Sequence, residues 1–353
     1  MDNLVVRGIK ALSACKKIPP SGRAVLLCPN GGGAVGKCAA LIKAIDAYIA
    51  KVDGDLENAL EAAGFADCAD TVAEISSLEH MLARALTAQS QRTLARLQES
   101  VDLAEFSEGW SGFAAADTTD KALAGLFYAS FTANMPKLAT SYIKQIDPAL
   151  TVATIGKRTT AWAQEWSAEL GRLMKDTTNG MVGRMLANHL FYGGTVASLT
   201  RALQESGIRD EYKRARAAAL TETLRVHSVA QQEAITQNPA VEDKMWKHTG
   251  GHRNKPRENH VDMDGDVVRK DQPFTLEGAD GNVYHPMYPR DSILPAGESV
   301  NCHCIHQGIV NEDVLGLSLE ERQELQRRAI DEDDGVWERR LRWEHRLGIA
   351  GIE

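Results

Sequence analysis

Long apolar runs are missing from this chain, and no stretch reaches the ~18–20 residues that a membrane-spanning helix needs. A net basic charge is missing too. Forty Lys and Arg stand against 48 Asp and Glu, for a formal charge of −8. That balance excludes a protein-wide electrostatic grip on nucleic acid and leaves only a local basic face for the purpose. The opening M-D-N-L-V-V-R-G-I-K lacks the basic-then-apolar layout of a secretory signal. Four of the six cysteines, Cys15, Cys28, Cys38 and Cys68, are scattered and form no compact framework. They read as reduced thiols of a cytoplasmic protein, or as small buried apolar residues. No repeat of 20–50 residues is evident. Aromatics are scarce at 6%, whereas Ala, Leu, Glu, Arg and Gln recur, a bias toward helix.

What is present suits two or three globular domains, since 353 residues with a 43% hydrophobic share can bury more than one core. The reading is α+β, with a mainly α-helical N-terminal region, then a small α+β module, then a helical C-terminal tail. An apolar pattern predicts a helix over Gly36 to Ile49. A longer helix over Asp70 to Val101 follows from the stripe Ile75, Leu78, Leu82, Leu86, Leu94, Leu97 and Val101, whose steps of three and four share one face. Gln89 and Gln91 interrupt that face. Glu105 to Asp120 reads as a loop. Helices are expected over Lys121–Ala133, Pro136–Ile146 and Ala149–Lys175. Asp176-Thr177-Thr178-Asn179 offers a cap for another, to Phe191. Gly193-Gly194 breaks the pattern, Gly207 ends a helix begun at Thr195, and Asp210 caps a last one to about Gln237.

After Val241 the period changes, and the chemistry is concentrated. Six of ten histidines (His248, His252, His260, His285, His303, His306) and two cysteines (Cys302, Cys304) fall between Trp246 and Val310. Asp264-Gly265 and Asp280-Gly281 are hairpin signals, and Cys302 to Val310 alternates as a closing strand. Soft and borderline ligands in a Gly/Pro-rich segment suit either a metal site or a cross-braced loop module.

From about Thr195 to Val310 the features come in a particular order. A helix carries Leu220-Thr221-Glu222, a strand starts near Trp246, and Arg257 precedes His260. Asp264-Gly265 makes a turn, Phe274 follows, and Asn301-Cys302-His303-Cys304 closes the module. That order resembles the Mu F-like family, the minor head or head-morphogenesis proteins of tailed bacteriophages. The family pattern has a helix with Arg-Thr-Glu and a Trp leading into a strand, then Arg, His and a hydrophobic-Asp-Gly turn, and a final Asn-Cys-x-Cys. Leu220 stands where the family usually has Arg, and Gly250-Gly251 near a common Asp; both departures bear on catalysis more than on fold. The resemblance implies a helical region over 1–194, the module over 195–310 and a charged helical tail over 311–353. It also implies a virion protein of the capsid interior or portal vicinity, assembled in the host cytoplasm. The expected partners are the portal protein or the inner capsid surface, with packaged DNA a further one and no membrane. No turnover chemistry is required for that role.

Four groups carry chemistry, each with a plainer reading beside it. Cys302 and Cys304, with two of His252, His260, His303 and His306, are zinc-ligand candidates, because i and i+2 on a strand share a face. The spacing is not the usual C-x2–4-C, and the alternative is buried thiols beside hydrogen-bonded histidines; a Cys302–Cys304 disulfide ring would be tight. His260, Glu222 and Asp264 are the trio an enzyme would use, for phosphodiester cleavage or group transfer. Their plainer role is to anchor the helix to the module and fix the turn. Gly31, Gly36 and Lys37 match a phosphate-cradling loop, but Cys38 replaces the magnesium-binding hydroxyl and no parallel strands follow. Finally, Arg339, Arg340, Arg342 and Arg346 interleave with Trp337 and Trp343 behind the acidic run Asp331 to Asp334, which favours a docking helix over a nucleic-acid contact.

Overall fold

In the computed structural model, residues 53–249 and 256–346 are described, the side chains of 206–210 and 338–346 excepted. Expectations for Gly36–Ile49, for the Gly31–Lys37 loop, for Cys15, Cys28 and Cys38, for His252 and for the tail side chains beyond Trp337 therefore lie outside the described residues. The chain divides into two units, residues 1–59 and 60–353. Of the first, residues 53–59 are described and are helical. Everything from Leu60 onward belongs to the second.

From Cys68 to Gln237 that unit is a run of five helices: α1 (Cys68–Glu99), α2 (Leu103–Ala116), α3 (Thr119–Ile146), α4 (Lys157–Phe191) and α5 (Val196–Gln237). The α1 stripe packs along α5 and α3, with Ile75, Leu78, Leu82, Leu86 and Leu97 almost wholly buried. Val101 lies past the end of α1 and is exposed. Gln89 does not weaken the face: it is buried and donates to Asp117 Oδ2 (3.1 Å) and Asn179 Oδ1 (3.3 Å).

Four breaks expected from the sequence are absent. Residues 105–120 do not form a loop. Asp102 caps α2 by accepting from Glu105 N at 2.9 Å, and Leu103 and Phe106 are buried on one face. Pro136 lies inside the continuous α3 instead of opening a helix. Asp176 to Asn179 sits within α4, where Thr178 Oγ1 donates to Met174 O (3.2 Å) and accepts from Arg214 (2.9 Å). Likewise α5 runs unbroken from a capping box made by Thr195 and Ser198, so neither Gly207 nor Asp210 ends or starts a helix. At Thr178 and Asn179 tertiary partners satisfy polar groups that a bare sequence assigns to a terminus.

Beyond α5 lies the small mixed module: β1 (Val241–Lys247), α6 (Glu258–Asp262), β2 (Val267–Arg269), β3 (Leu276–Glu277), β4 (Val283–Tyr284), α7 (Ala296–Ser299) and β5 (Ile305–Val310). An antiparallel sheet has the order β2-β1-β5, and β3-β4 form the hairpin expected at Asp280-Gly281. Asp264-Gly265 is not a strand-to-strand hairpin, because the residues before it form α6. Gly265, at φ 91°, instead turns the chain from α6 into β2 while its N–H donates to Trp246 O at 2.9 Å. The closing strand begins only at Ile305, so both cysteines precede it. The module is held on Trp246, Phe274, Leu276, Met263 and Leu294. A short α8 (Glu312–Leu315) leads into α9 (Leu319–Arg346), which packs back on α5 and α4. The whole is a mainly helical region with a small α+β module, the class the sequence predicts.

Candidate functional site

The module gathers its thiols and one imidazole in the core beneath β1. Asn301, at φ 56°, takes the left-handed conformation that Asn tolerates, and this bends the chain so that Cys302 and Cys304 both turn inward. Both are 3% exposed and unoxidised. His260, presented by the single turn of α6, brings Nδ1 to 3.5 Å from Cys302 Sγ and 3.7 Å from Cys304 Sγ. His248, at the end of β1, has Nδ1 3.6 Å from Cys304 Sγ. Trp246 meets the His260 ring edge-on at 5.9 Å and walls the group on one side.

A carboxylate orients the imidazole. Glu298 Oε2 lies 2.9 Å from His260 Nε2, so that nitrogen carries the proton and Nδ1 is left to face the sulfurs. Burial pushes the Glu298 carboxyl up, but bonds from Ala279 N–H, Asn259 and His260 outweigh it and hold the group below its ordinary range. The two thiols share their protons unequally. The hydrogen bond from Cys304 brings the Cys302 thiol down far below its usual value against its burial, with His260 and Arg290 adding to the effect. The Cys304 thiol is pushed up by the same bond and by burial.

Arg290 holds the corner from behind. Its guanidinium is fully buried, and Nη1 donates to Cys302 O (2.7 Å) and Cys304 O (2.8 Å). Nε donates to Leu224 O (3.0 Å) and Nη2 to Ser228 Oγ (2.6 Å), both on α5. Its backbone stands at φ 64°, an uncommon place for a long side chain. Four hydrogen bonds to two elements explain why that conformation persists. Arg225 of α5 donates in turn to Arg290 O.

The other sequence candidates are placed as follows. Glu222 is buried on α5, where it accepts from Arg225 Nε (2.8 Å) and Trp166 Nε1 (2.7 Å). Asp264 accepts from His248 N at 2.8 Å. Thus His260, Glu222 and Asp264 each have separate partners. Arg257 donates to Val300 O (2.7 Å), tying the start of α6 to the end of α7 just before Asn301. The His303 ring lies between the two cysteines in sequence, but its carbonyl takes a bond from Thr249 and the described metal-capable group does not include it. His285 is exposed. His306 is fully buried against Tyr288, and burial depresses its pKa far below the ordinary value.

Sequence reasoning missed Glu298, Arg290 and Arg225. The only sequence signal for the first two is closeness to the Asn-Cys-x-Cys run, since Pro289-Arg290-Asp291 and Glu298 lie a few residues upstream. Among the described residues, His260, Cys302 and Cys304 form the group able to hold a metal ion, their ligand atoms all within 4.8 Å of one another.

The fold and this centre define a class: a small α+β module with a buried Asn-Cys-x-Cys corner, delivered by a long helix that also belongs to a helical bundle. The family described as Phage Mu protein F like protein matches residues 181–307. A relative, the uncharacterized protein YqbB of Bacillus subtilis (strain 168), is 34% identical over 248 residues, covering 64% of this chain and 79% of that protein. The chain belongs to the phage Mu F-like family, and through it to bacteriophage head morphogenesis. No solved structure matches it. No helix among the described residues is long and apolar enough to cross a membrane.

Proposed function

We propose that this protein is a minor head protein of a tailed bacteriophage, held in the capsid interior or at the portal, and that it serves by docking and not by turnover. The family membership carries this reading. The fate of the would-be catalytic trio supports it. Glu222 is consumed by Arg225 and Trp166, Asp264 by a backbone N–H, and His260 by Glu298 and the thiols. Groups so fully engaged brace a module more readily than they exchange protons with a substrate.

A second reading has one observation in its favour. Cys302, His260 and Glu298 are connected like a nucleophile, its base and an orienting acid. Yet both sulfurs are buried, which denies a substrate the approach that a thiolate nucleophile needs.

Net acidity bears on the partner. A net charge of −8 disfavours packaged DNA as the main partner, because repulsion from the phosphates would have to be overcome locally. Co-expression with the portal protein of the same phage, followed by pull-down, is expected to yield a complex. No complex, together with tight salt-dependent DNA binding, would overturn the assignment of partner.

A further inference from the structure

We propose that the corner formed by Cys302, Cys304 and His260 is a structural zinc site, with His248 as its fourth ligand. The distances carry the argument. In a tetrahedral site with Zn–S near ~2.3 Å and Zn–N near ~2.0–2.1 Å, a sulfur and a nitrogen on neighbouring vertices stand about 3.5–3.6 Å apart. The separations here are 3.5, 3.7 and 3.6 Å for Cys302–His260, Cys304–His260 and Cys304–His248. The first three ligand atoms already form a mutual cluster within 4.8 Å. His248 reaches only Cys304 at that range, and its half-exposed ring swings in to close the fourth vertex.

Three further features suit a metal better than a packed thiol pair. Nδ1 of His260 faces both sulfurs because Glu298 holds Nε2, the carboxylate–histidine arrangement that fixes a ligating imidazole in the correct tautomer. Arg290 clamps the carbonyls of both cysteines, which sets the C-x-C corner before any ion arrives. Two thiolates with two neutral imidazoles would bring a divalent zinc ion to net neutrality, which a buried site needs. Soft sulfur ligands and the tetrahedral spacing select zinc over calcium or magnesium. The role is structural, since this reading fills all four vertices with protein ligands.

The test uses the full-length chain. After expression with zinc and dialysis into metal-free buffer, elemental analysis is expected to give about one zinc per chain, because structural sites hold their ion tightly. Replacement by Co2+ is expected to give the intense visible bands of a tetrahedral ion and a near-ultraviolet thiolate charge-transfer band. His248→Ala should shift the visible bands while keeping the charge transfer. Glu298→Gln should weaken zinc affinity about 10–100-fold, as loss of an orienting partner does elsewhere. If Cys304→Ser fails to fold, the cobalt spectrum of the unaltered chain still decides. A folded wild-type chain that takes up neither zinc nor cobalt would overturn the proposal. So would a metal bound with undiminished affinity in folded Cys304→Ser, and a cobalt spectrum unmoved by His248→Ala would remove His248 from the site.

Discussion

His227 shows how one buried side chain can set the acid limit of the fold. On α5 it lies between Thr71 of α1 and Tyr142 of α3, with Nε2 2.8 Å from Thr71 Oγ1 and Nδ1 2.9 Å from Tyr142 Oη. Burial, and then the charge of Arg290, bring its pKa down from an ordinary 6.5 to about 3. The folded state therefore keeps this ring neutral where the unfolded chain protonates it. Its contribution to stability is complete above about pH 6.5 and is lost as pH falls toward 3, because the unfolded state binds the extra proton over that window. A shift of this size is worth at most about 5 kcal/mol. Thermal melts are expected to show a midpoint that drops between pH 6.5 and 4, with a shallower drop in His227→Gln. An unchanged slope in that variant would place the acid sensitivity elsewhere, with His306 the next group to suspect. The same residue scale shows what a sequence conceals. Cys302, Cys304 and His260 could be named in advance because ligand-type residues crowd a short segment. Glu298 and Arg290 could not, since a carboxylate or guanidinium becomes notable only when its neighbours are known.

Helices were legible as elements, while their ends were not. The α1 stripe identified a buried face because apolar spacing is a local property of the chain. The Asp-Thr-Thr-Asn run inside α4 looked like a cap because short polar side chains favour helix starts. Arg214 of α5 and Gln89 of α1 supply its partners instead. The true start of α4 shows the converse. Gly156 brings no side chain of its own, so Glu233 of α5 accepts from Gly156 N (2.8 Å) and Asp334 of α9 accepts from Lys157 N (2.8 Å). Asp333 adds an ion pair to Arg158 at 3.1 Å. The acidic run before the Arg/Trp segment thus caps a helix about 175 residues upstream, where anions are favoured by the helix dipole.

Helix contacts also give two glycines opposite fates. At Gly171 of α4 an added Cβ would fall 2.2 Å from Asp120 O and 3.0 Å from Ala124 N, which are backbone atoms with little freedom to move. Gly171→Ala is expected to destabilise the fold by about 1–3 kcal/mol despite the better helix propensity of Ala. At Gly112 of α2 the same Cβ meets nothing within 4 Å, and Gly112→Ala should stabilise by about 0.5–1 kcal/mol. Urea titrations of both variants check the pair. A neutral Gly171→Ala would show that α3 and α4 can separate without cost.

Across the whole molecule, the question is whether bundle and module behave as one unit or two. The module core is small, and among the described residues its larger sheet has three strands. Part of its attachment to the bundle is polar. Arg290 bonds α5 through Leu224 O and Ser228 Oγ, and bonds the cysteine corner through two carbonyls. Arg225 links Arg290 O to Glu222, whose other carboxylate bond comes from Trp166 of α4. A chain of charge-assisted bonds therefore runs from the bundle to the Asn-Cys-x-Cys corner, and its members are buried. Such groups stabilise only while every partner is present; removing one leaves the others without compensation at a cost of about 3–5 kcal/mol. In the unaltered chain labelled with fluorotryptophan, urea unfolding followed by the fluorine resonance of Trp246 and by far-ultraviolet circular dichroism should give coincident transitions, since most helical signal lies in the bundle and the buried Trp246 is the tryptophan of the module. Arg290→Met is expected to lower the midpoint and to separate the two curves, with the Trp246 change coming first. This follows because the thioether can fill the space above Phe65, where the guanidinium now lies 5.5 Å from the ring, but can donate none of the four bonds. Curves that stay coincident in Arg290→Met would show that apolar packing of β5 on α5, and not the arginine, makes the two parts one cooperative unit.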